Sequence, residues 1–506
     1  MMSLRVAVVG SGPSGSSAAK VLMDAGISVD MFDVGVDAAS AAPAEPVHKK
    51  EGLIPHKTLF GSSYMYRRQD GLALQVSDNV SFDTSHAKGG LSSVWGATVG
   101  ATTAHDIADW PVKIEDLSHH LSQVFEDMRL SARADMLDSI YPITLHGTEL
   151  PYENRQSAHI LRKVAENSTA LLADELMVGK AKLAIDSTPG SPTACVLCGE
   201  CMTGCTRGAI FNAWDKVALL KKRPQFRYLE GNIVHQFEER DDGVDLIFSP
   251  LQGGDRQRAG YDAVILAAGC IDSTKIADAS LGWTGYEYKI LDSQKFYFPV
   301  WVGRGGHSSI DESISLAHLY VQSFDSNKNI IQGQLYPGKL IAQTILEHLL
   351  GRVGKMFGKL ISPFLNRCFV GVAYFSSKVS GRIGIRFEEE NKMVVSGTDN
   401  VRSTTEFDTF ARKLRKHAKR TGFTAPFGLK MRSKLGHSQH FGGTIPMKAN
   451  PARYESDSLG RPFGCQKVFI VDSTVLPSIP ATPTTGLVMA NAARIATWIS
   501  ANLRSH

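Results

Sequence analysis

The chain has 506 residues, 43% of them hydrophobic and 21% charged, an ordinary globular composition with enough length for two cores. Its 55 basic and 50 acidic residues leave a net charge of +5, too mild to imply nucleic acid, and no block of like charges forms a tail. Seven cysteines, four of them in one tight run, do not make a secreted disulfide framework, and no window of about 18 uninterrupted apolar residues predicts a membrane span.

The first predicted element is the apolar strand Val6 to Val9, which runs into Gly10-x-Gly12-x-x-Gly15. A helical stretch follows through Ala25, then a second strand from Val29 to Phe32 that ends at Asp33. Gly10 permits the tight turn, Gly12 lets backbone approach a pyrophosphate, and Gly15 lets helix and strand pack closely. Pro13 and Ser14 open the helix, whose free amides and dipole favour an anion. Asp33, 23 residues after Gly10, stands where an acid binds ribose hydroxyls. The pattern predicts a dinucleotide-binding unit but does not separate FAD from NAD. The Ala/Pro stretch at Ala38 to Pro46 reads as a surface loop.

Residues 88–101, KGGLSSVWGATVGA, supply Gly89, Gly90 and Gly96, whose backbone can lie flat against a cofactor, with Ser92 and Trp95 between them. Next comes the spacing C-x2-C-x2-C-x3-C at Cys195, Cys198, Cys201 and Cys205, the ligand run of a bacterial ferredoxin-type site. Tetrahedral zinc usually takes two knuckles a dozen or more residues apart, and disulfides or a buried thiol patch are the third reading. Thr206 rather than proline follows Cys205, and no second run exists, so a 4Fe–4S and a 3Fe–4S site are both open.

Val264 to Ala267 reads as a buried strand ended by Ala268 and Gly269. From 290 to 430, strand-like runs fall at Lys295 to Val302, Ile314 to Val321 and Phe369 to Phe375, with a hairpin from Gly381 to Phe387 and Lys392 to Val395. Between them, 338–367 carries apolar residues at helical spacing with Lys339, Arg352, Lys355, Lys359 and Arg367 against Glu347. Three readings stand for it: an anionic membrane surface, packing on the domain, or partner docking. The chain closes on GHSQHFGGTIPM at 436–447 and VFIVDSTVLPSIP at 468–480, where Asp472 and Ser473 follow an apolar strand.

These segments, with DWPVKIEDL at 109–117 and DAVILAAGCIDST at 262–274, resemble the glucose–methanol–choline (GMC) oxidoreductases from end to end and in the family's order. The resemblance implies an α/β fold. Its Rossmann-like FAD-binding domain is discontinuous, covering 1–290 and 431–506 with the cysteine segment at 190–215. Residues 291–430 form an α+β substrate domain on a large antiparallel sheet. It implies FAD as hydride acceptor from a CH–OH group, bound by Gly10, Gly12, Pro13, Ser14, Gly15, Asp33, Gly89, Gly90, Ser92, Trp95, Gly96, Ala268, Gly269, Asp472 and Ser473. Val94 stands where some members tether the flavin through histidine, so FAD is expected to dissociate. His440 of H-x-x-G-T-x-x-M is the expected base, with His437 in a supporting role. The family's second polar residue, His or Asn, is replaced: Thr482 or Thr484 stands there, able to orient a substrate but not to act as a base near neutrality.

The stretch CMTGCTRGAIFNA also resembles the cluster segment of iron–sulfur-containing FAD-dependent glucose dehydrogenase catalytic subunits. That implies Cys201, Cys205 and Cys195 as ligands, with Cys198 the fourth candidate, a sugar or alcohol as substrate, and an electron-acceptor protein or quinone as partner. Cytoplasmic location is the default expectation. Export in the folded state with a partner subunit is the alternative, because preloaded cofactors require folded transport.

Overall fold

The computed structural model describes residues 4–37, 63–66, 68–81, 83–150, 153–199, 201, 205, 207–303, 314–337, 367–389, 391–426 and 428–503. The Ala38–Pro46 loop and the basic stretch 338–366 lie outside these residues.

Arg5–Val9 is buried on both faces, as a central parallel strand must be. Val6 and Val8 pack on Ala18, Leu22 and Ile495, while Ala7 and Val9 face a second core with Val264 and Leu266. It is the middle of a five-stranded parallel sheet ordered Val468–Ile470, Ala263–Leu266, Arg5–Val9, Ser28–Asp33 and Phe226–Glu230. The helix Pro13–Asp24 starts with proline in its first turn and packs on the C-terminal helix Thr485–Asn502, where Ser17 Oγ donates to Met489 O at 3.0 Å. A three-stranded antiparallel sheet, Asn232–Arg240, Gly243–Pro250 and Gln257–Tyr261, is attached to this unit.

The second unit is built on a seven-stranded antiparallel sheet. Its order is Phe423–Thr424, Lys295–Val302, Cys368–Phe375, Ile330–Pro337, Leu319–Phe324 and Met177–Lys180, with Met431–Arg432 also pairing on Lys295–Val302. Strand alternation gives the sheet two unlike faces. On one, Phe296, Phe298, Phe369 and Phe375 pack under Phe407, Phe410 and Leu414 of the helix Arg402–Lys416. On the other, Lys295, Tyr374, Gln332 and Gln322 stand opposite one another across four strands, with Tyr297, Val372, Gln334 and Tyr320 in the adjacent row. The architecture is therefore α/β, a Rossmann-like parallel sheet joined to a large antiparallel sheet.

Three details differ from the sequence reading. Ile314 to Val321 is not one strand: pairing starts at Leu319, because His318 Nε2 bonds back to Ile314 O at 2.8 Å and closes the preceding residues as a turn. Ile330–Pro337 is an unforeseen central strand. The hairpin Arg382–Glu388 and Lys392–Thr398 joins a separate five-stranded sheet with Tyr288–Asp292, Phe441–Gly442 and Ala73–Val76, not the large sheet. Among the described residues no helix is long and apolar enough to cross a membrane.

Candidate active site

A cavity of about 570 Å³ opens at the carboxyl ends of the parallel strands, where ligands of open α/β sheets bind. Gly10, Gly12, Pro13 and Ser14, Asp33, Gly90, Ala268 and Gly269, Asp472 and Ser473, and Thr484 line it. The glycines divide the labour. A Cβ on Gly10 (φ +105°) would stand 2.4 Å from Ala267 O, and one on Gly15 2.0 Å from Gly10 O, so these two hold the turn together. Gly15 accordingly lies behind the wall. Gly12 and Gly269 have nothing within 4 Å of a built Cβ, so bare backbone faces open space there. That suits a pyrophosphate against backbone amides at the start of the Pro13–Asp24 helix.

Asp33 is tied into the wall. Its Oδ2 accepts from Ser11 Oγ and from Tyr228 OH at 2.8 Å, and Ser11 Oγ accepts from Gly89 N at 3.0 Å. Burial pushes the carboxyl up to about 6, against the pull of those hydroxyls. Gly89 itself (φ +78°) stands behind the surface, because a Cβ would stand 2.4 Å from Asn212 Oδ1. Ser92 braces the same loop, donating to Gly89 O at 2.6 Å and accepting from Ala213 N at 3.0 Å. Trp95 Nε1 donates to Phe211 O at 2.8 Å, and a Cβ on Gly96 would lie 3.6 Å from Tyr336 OH, which carries the loop across to the antiparallel sheet. Val94 packs among Val36, Met65 and Ala87.

Asp472 acts as a clamp. Its Oδ2 accepts from Gly269 N at 2.9 Å and from Ser273 Oγ at 2.5 Å, and its Oδ1 from Thr474 N at 3.0 Å and from Thr474 Oγ1. The carboxylate is thus spent on the two turns that face the cavity. Sequence reasoning missed one part of the cavity lining, where Asp70, His86 and Asp272 converge within 4.8 Å. Arg68 bridges both carboxylates, and Lys275 Nζ sits 2.8 Å from Asp70. Burial works against ionisation, but Arg68 pulls Asp70 down to about 2 and holds Asp272 well below the carboxylate range. Cationic side chains already fill the role of a metal there.

His440 and Thr482 do not line this cavity; they stand beside it, at the antiparallel sheet. The loop that carries His440 is pinned by Asp292, which accepts from Gly436 N at 3.0 Å and Ser438 Oγ at 2.6 Å. Ser438 Oγ in turn accepts from His440 N at 3.0 Å. Phe441–Gly442 then joins Tyr288–Asp292, and Gly442 passes so close to Ser473 that a Cβ would stand 2.1 Å from its carbonyl oxygen. The His440 ring stacks on Tyr374 at 4.9 Å, and its Nδ1 is buried without a hydrogen-bond partner. Burial first, then the charge of Lys295, pushes the imidazole down to about 4. Tyr374 packs in one cluster with Ala481, whose neighbour Thr482 is fully buried with an unpartnered Oγ1. His437 is exposed, its ring 6.4 Å from that of Tyr297.

Cys195, Cys201 and Cys205 share an apolar cluster with Trp95, Tyr320 and Tyr336, while Cys198 is exposed. Asp186 builds the approach: its carboxylate accepts from Ser191, Thr193 and Thr188 N, and its carbonyl accepts from Cys195 N at 2.8 Å. Ala209 N points at Cys205 Sγ at 3.3 Å. Burial raises the Cys195 and Cys201 thiols, each further opposed by the neighbouring sulfurs. No three of the four sulfurs lie within 4.8 Å of one another, so the thiols as they stand do not make the tight tetrahedron of a zinc ion.

No protein-family model matches the chain and no curated sequence matches it. Among solved structures it is similar to pyridoxine 4-oxidase from Mesorbium loti, at 14% identity and a TM-score of 0.60 over 98% of this chain and 99% of that one. The likeness extends through both units and shows a shared fold.

Proposed function

We propose that the protein is an FAD-dependent oxidoreductase of GMC type that oxidises a CH–OH group of a sugar or other alcohol. The observation that carries this reading is the buried, unpartnered Nδ1 of His440 beside a glycine-walled cavity at the carboxyl ends of the parallel strands. Gly10, Gly12, Pro13, Ser14, Asp33, Gly90, Gly269 and Ser473 would hold FAD, and the open faces of Gly12 and Gly269 fit it. FAD bound there supplies a hydride acceptor. His440 takes the hydroxyl proton, since its ring makes no competing hydrogen bond among the described residues. Thr482 Oγ1, buried and unpaired, offers one hydrogen bond to orient the alcohol. Tyr374 fixes the plane of the imidazole by stacking.

An iron–sulfur cluster on Cys195, Cys198, Cys201 and Cys205 would supply a one-electron outlet toward an acceptor protein or quinone. The four-cysteine spacing, the amide directed at Cys205 Sγ, and apolar packing shared with Trp95 support this assignment. A second reading is an oxygen-using alcohol oxidase with a structural thiol patch; the raised thiols and the name of the structural neighbour, an oxidase, favour it.

Reconstitution with FAD and anaerobic mixing with a panel of sugars and alcohols tests the core reading. Bleaching of the flavin by at least one, and its loss in His440→Ala, is the expected result. A flavin that no member bleaches overturns it. Iron and acid-labile sulfide in anaerobically purified protein separate the two outlets, and peroxide formation without iron selects the oxidase.

A further inference from the structure

The face of the antiparallel sheet beside His440 sets buried polar side chains next to an apolar cluster of Val372, Tyr374 and Ala481, whereas a sheet packed in a core needs an apolar face throughout. Lys295 and Tyr297 lie on that face, and the register sets Lys295 opposite Tyr374, the residue stacked on His440. The next strand sets Gln332 opposite Tyr374 and Gln334 opposite Val372. Gln332 and Gln334 are 0% and 1% exposed, and the Nε2 donor of each has no partner. Lys295 is equally unserved. Its ammonium lies 5.3 Å over the Tyr297 ring, and among the described residues only Asp292 acts on it, through its charge and not through a hydrogen bond. Asp292, the acid that influences it, spends its oxygens on Gly436 N and Ser438 Oγ. A half-buried cation and two buried amide donors without acceptors are costly to maintain in an empty fold. Gln322 in the same row also leaves one amide atom, its Oε1, without a partner, so the glutamines offer hydrogen bonds of either sense while the cation lacks a negative acceptor.

We propose that this face, through its unpaired Lys295 ammonium, recognises a carboxylate, so that the alcohol oxidised beside His440 is a ring-bearing hydroxy acid whose carboxylate pairs with Lys295. The inference rests on the alcohol-oxidising reading given above and narrows its substrate class. In this arrangement the substrate ring lies against Tyr297 and Tyr374, the Nε2 groups of Gln332 and Gln334 donate to its remaining oxygens, and the carbinol reaches His440. The electrostatics are consistent: burial lowers Lys295 only to about 8, with Asp292 opposing, so the ammonium is still mostly charged at neutral pH. Its charge also keeps the His440 imidazole unprotonated, ready to accept the hydroxyl proton.

The test uses the full chain loaded with FAD and matched pairs that differ in the acid: glucuronate against glucose, and 4-(hydroxymethyl)benzoate against benzyl alcohol. Anaerobic flavin bleaching is expected to favour the acid in at least one pair by about thirtyfold or more in kcat/KM. Lys295→Met is expected to lose more on the acid than on its neutral partner, chiefly in KM, and Lys295→Arg to keep the preference. A second readout is independent of turnover: calorimetric titration with benzoate, which cannot be oxidised, against benzamide. Benzoate binding to the wild type and to Lys295→Arg but not to Lys295→Met supports the site. Equal or better bleaching by neutral alcohols, or benzoate binding that is absent or indifferent to Lys295, overturns it. If nothing bleaches the flavin while benzoate still binds through Lys295, the alcohol-oxidising reading falls and the carboxylate site stands.

Discussion

At the residue scale, the proposed chemistry turns on a histidine whose surroundings suppress its ordinary basicity. His440 loses solvation and faces the Lys295 ammonium, and both effects favour the neutral ring. Its folded value near 4 lies below the unperturbed 6.5, so the ring remains an unprotonated base as pH falls through 6 and 5 and is lost only near 4. The acid limb of kcat/KM for flavin reduction is therefore expected near pH 4. Replacing Lys295 by Met removes the smaller of the two causes and moves the limb upward part of the way. A limb at about 6.5 in both proteins would mean that His440 is not the titrating base. His440→Ala is expected to slow reduction by about 10²–10⁴-fold while leaving FAD binding intact, since the ring does not line the glycine-walled cavity. His440 was singled out in the sequence because its Gly-Gly-Thr setting carries the family resemblance. Lys295 was not, because a lysine opening an alternating strand reads as a solvated edge, and only the register shows which face it joins.

At the element scale, the same limit explains the missed strand. Ile330–Pro337 reads IIQGQLYP, where glycine, proline and two glutamines argue for a loop. The pairing shows a central strand whose alternation is intact but whose buried side is polar: Ile331 and Leu335 pack under the helix Arg402–Lys416, and Gln332 and Gln334 face the other way. Sequence patterns assume that buried means apolar, and that assumption fails where a sheet forms the wall of a site. The parallel-sheet half was legible for the opposite reason, since strand, glycines, helix and acid are each dictated by local backbone needs. What local pattern could not show is how distant turns are tied. Asp472 joins its own turn to Gly269 and Ser273, about two hundred residues earlier, through one carboxylate. Asp472→Ala strands four donors, at about 1–3 kcal/mol for each one left buried and unpaired. A marked drop in melting temperature and loss of FAD on gel filtration are expected, with a smaller drop in both for Ser273→Ala. Wild-type FAD retention in Asp472→Ala would show that the Gly269 turn holds without its clamp.

At the scale of the whole molecule, a parallel-sheet unit and an antiparallel-sheet unit meet at a shared wall. The loop 88–101 starts against the glycine fingerprint, where a Cβ on Gly90 would be 3.4 Å from Gly12 Cα, and ends beside the antiparallel sheet at Tyr336. Trp95, within that loop, packs in the cluster that holds Cys195, Cys201 and Cys205. A metal centre at the thiols would therefore be joined to the cavity wall through packed side chains rather than through water. That placement makes the cysteine segment separable from the first half of the reaction. Cys201 is the most buried of the four, so Cys201→Ser is the informative change. With a cluster in place, the variant is expected to lose iron and sulfide and to slow turnover with a one-electron acceptor such as ferricenium by far more than it slows anaerobic flavin bleaching. Iron-free wild-type protein whose ferricenium turnover is untouched by Cys201→Ser would leave the segment as a structural patch, packed against Trp95 and Tyr320, and would assign electron exit to the flavin alone.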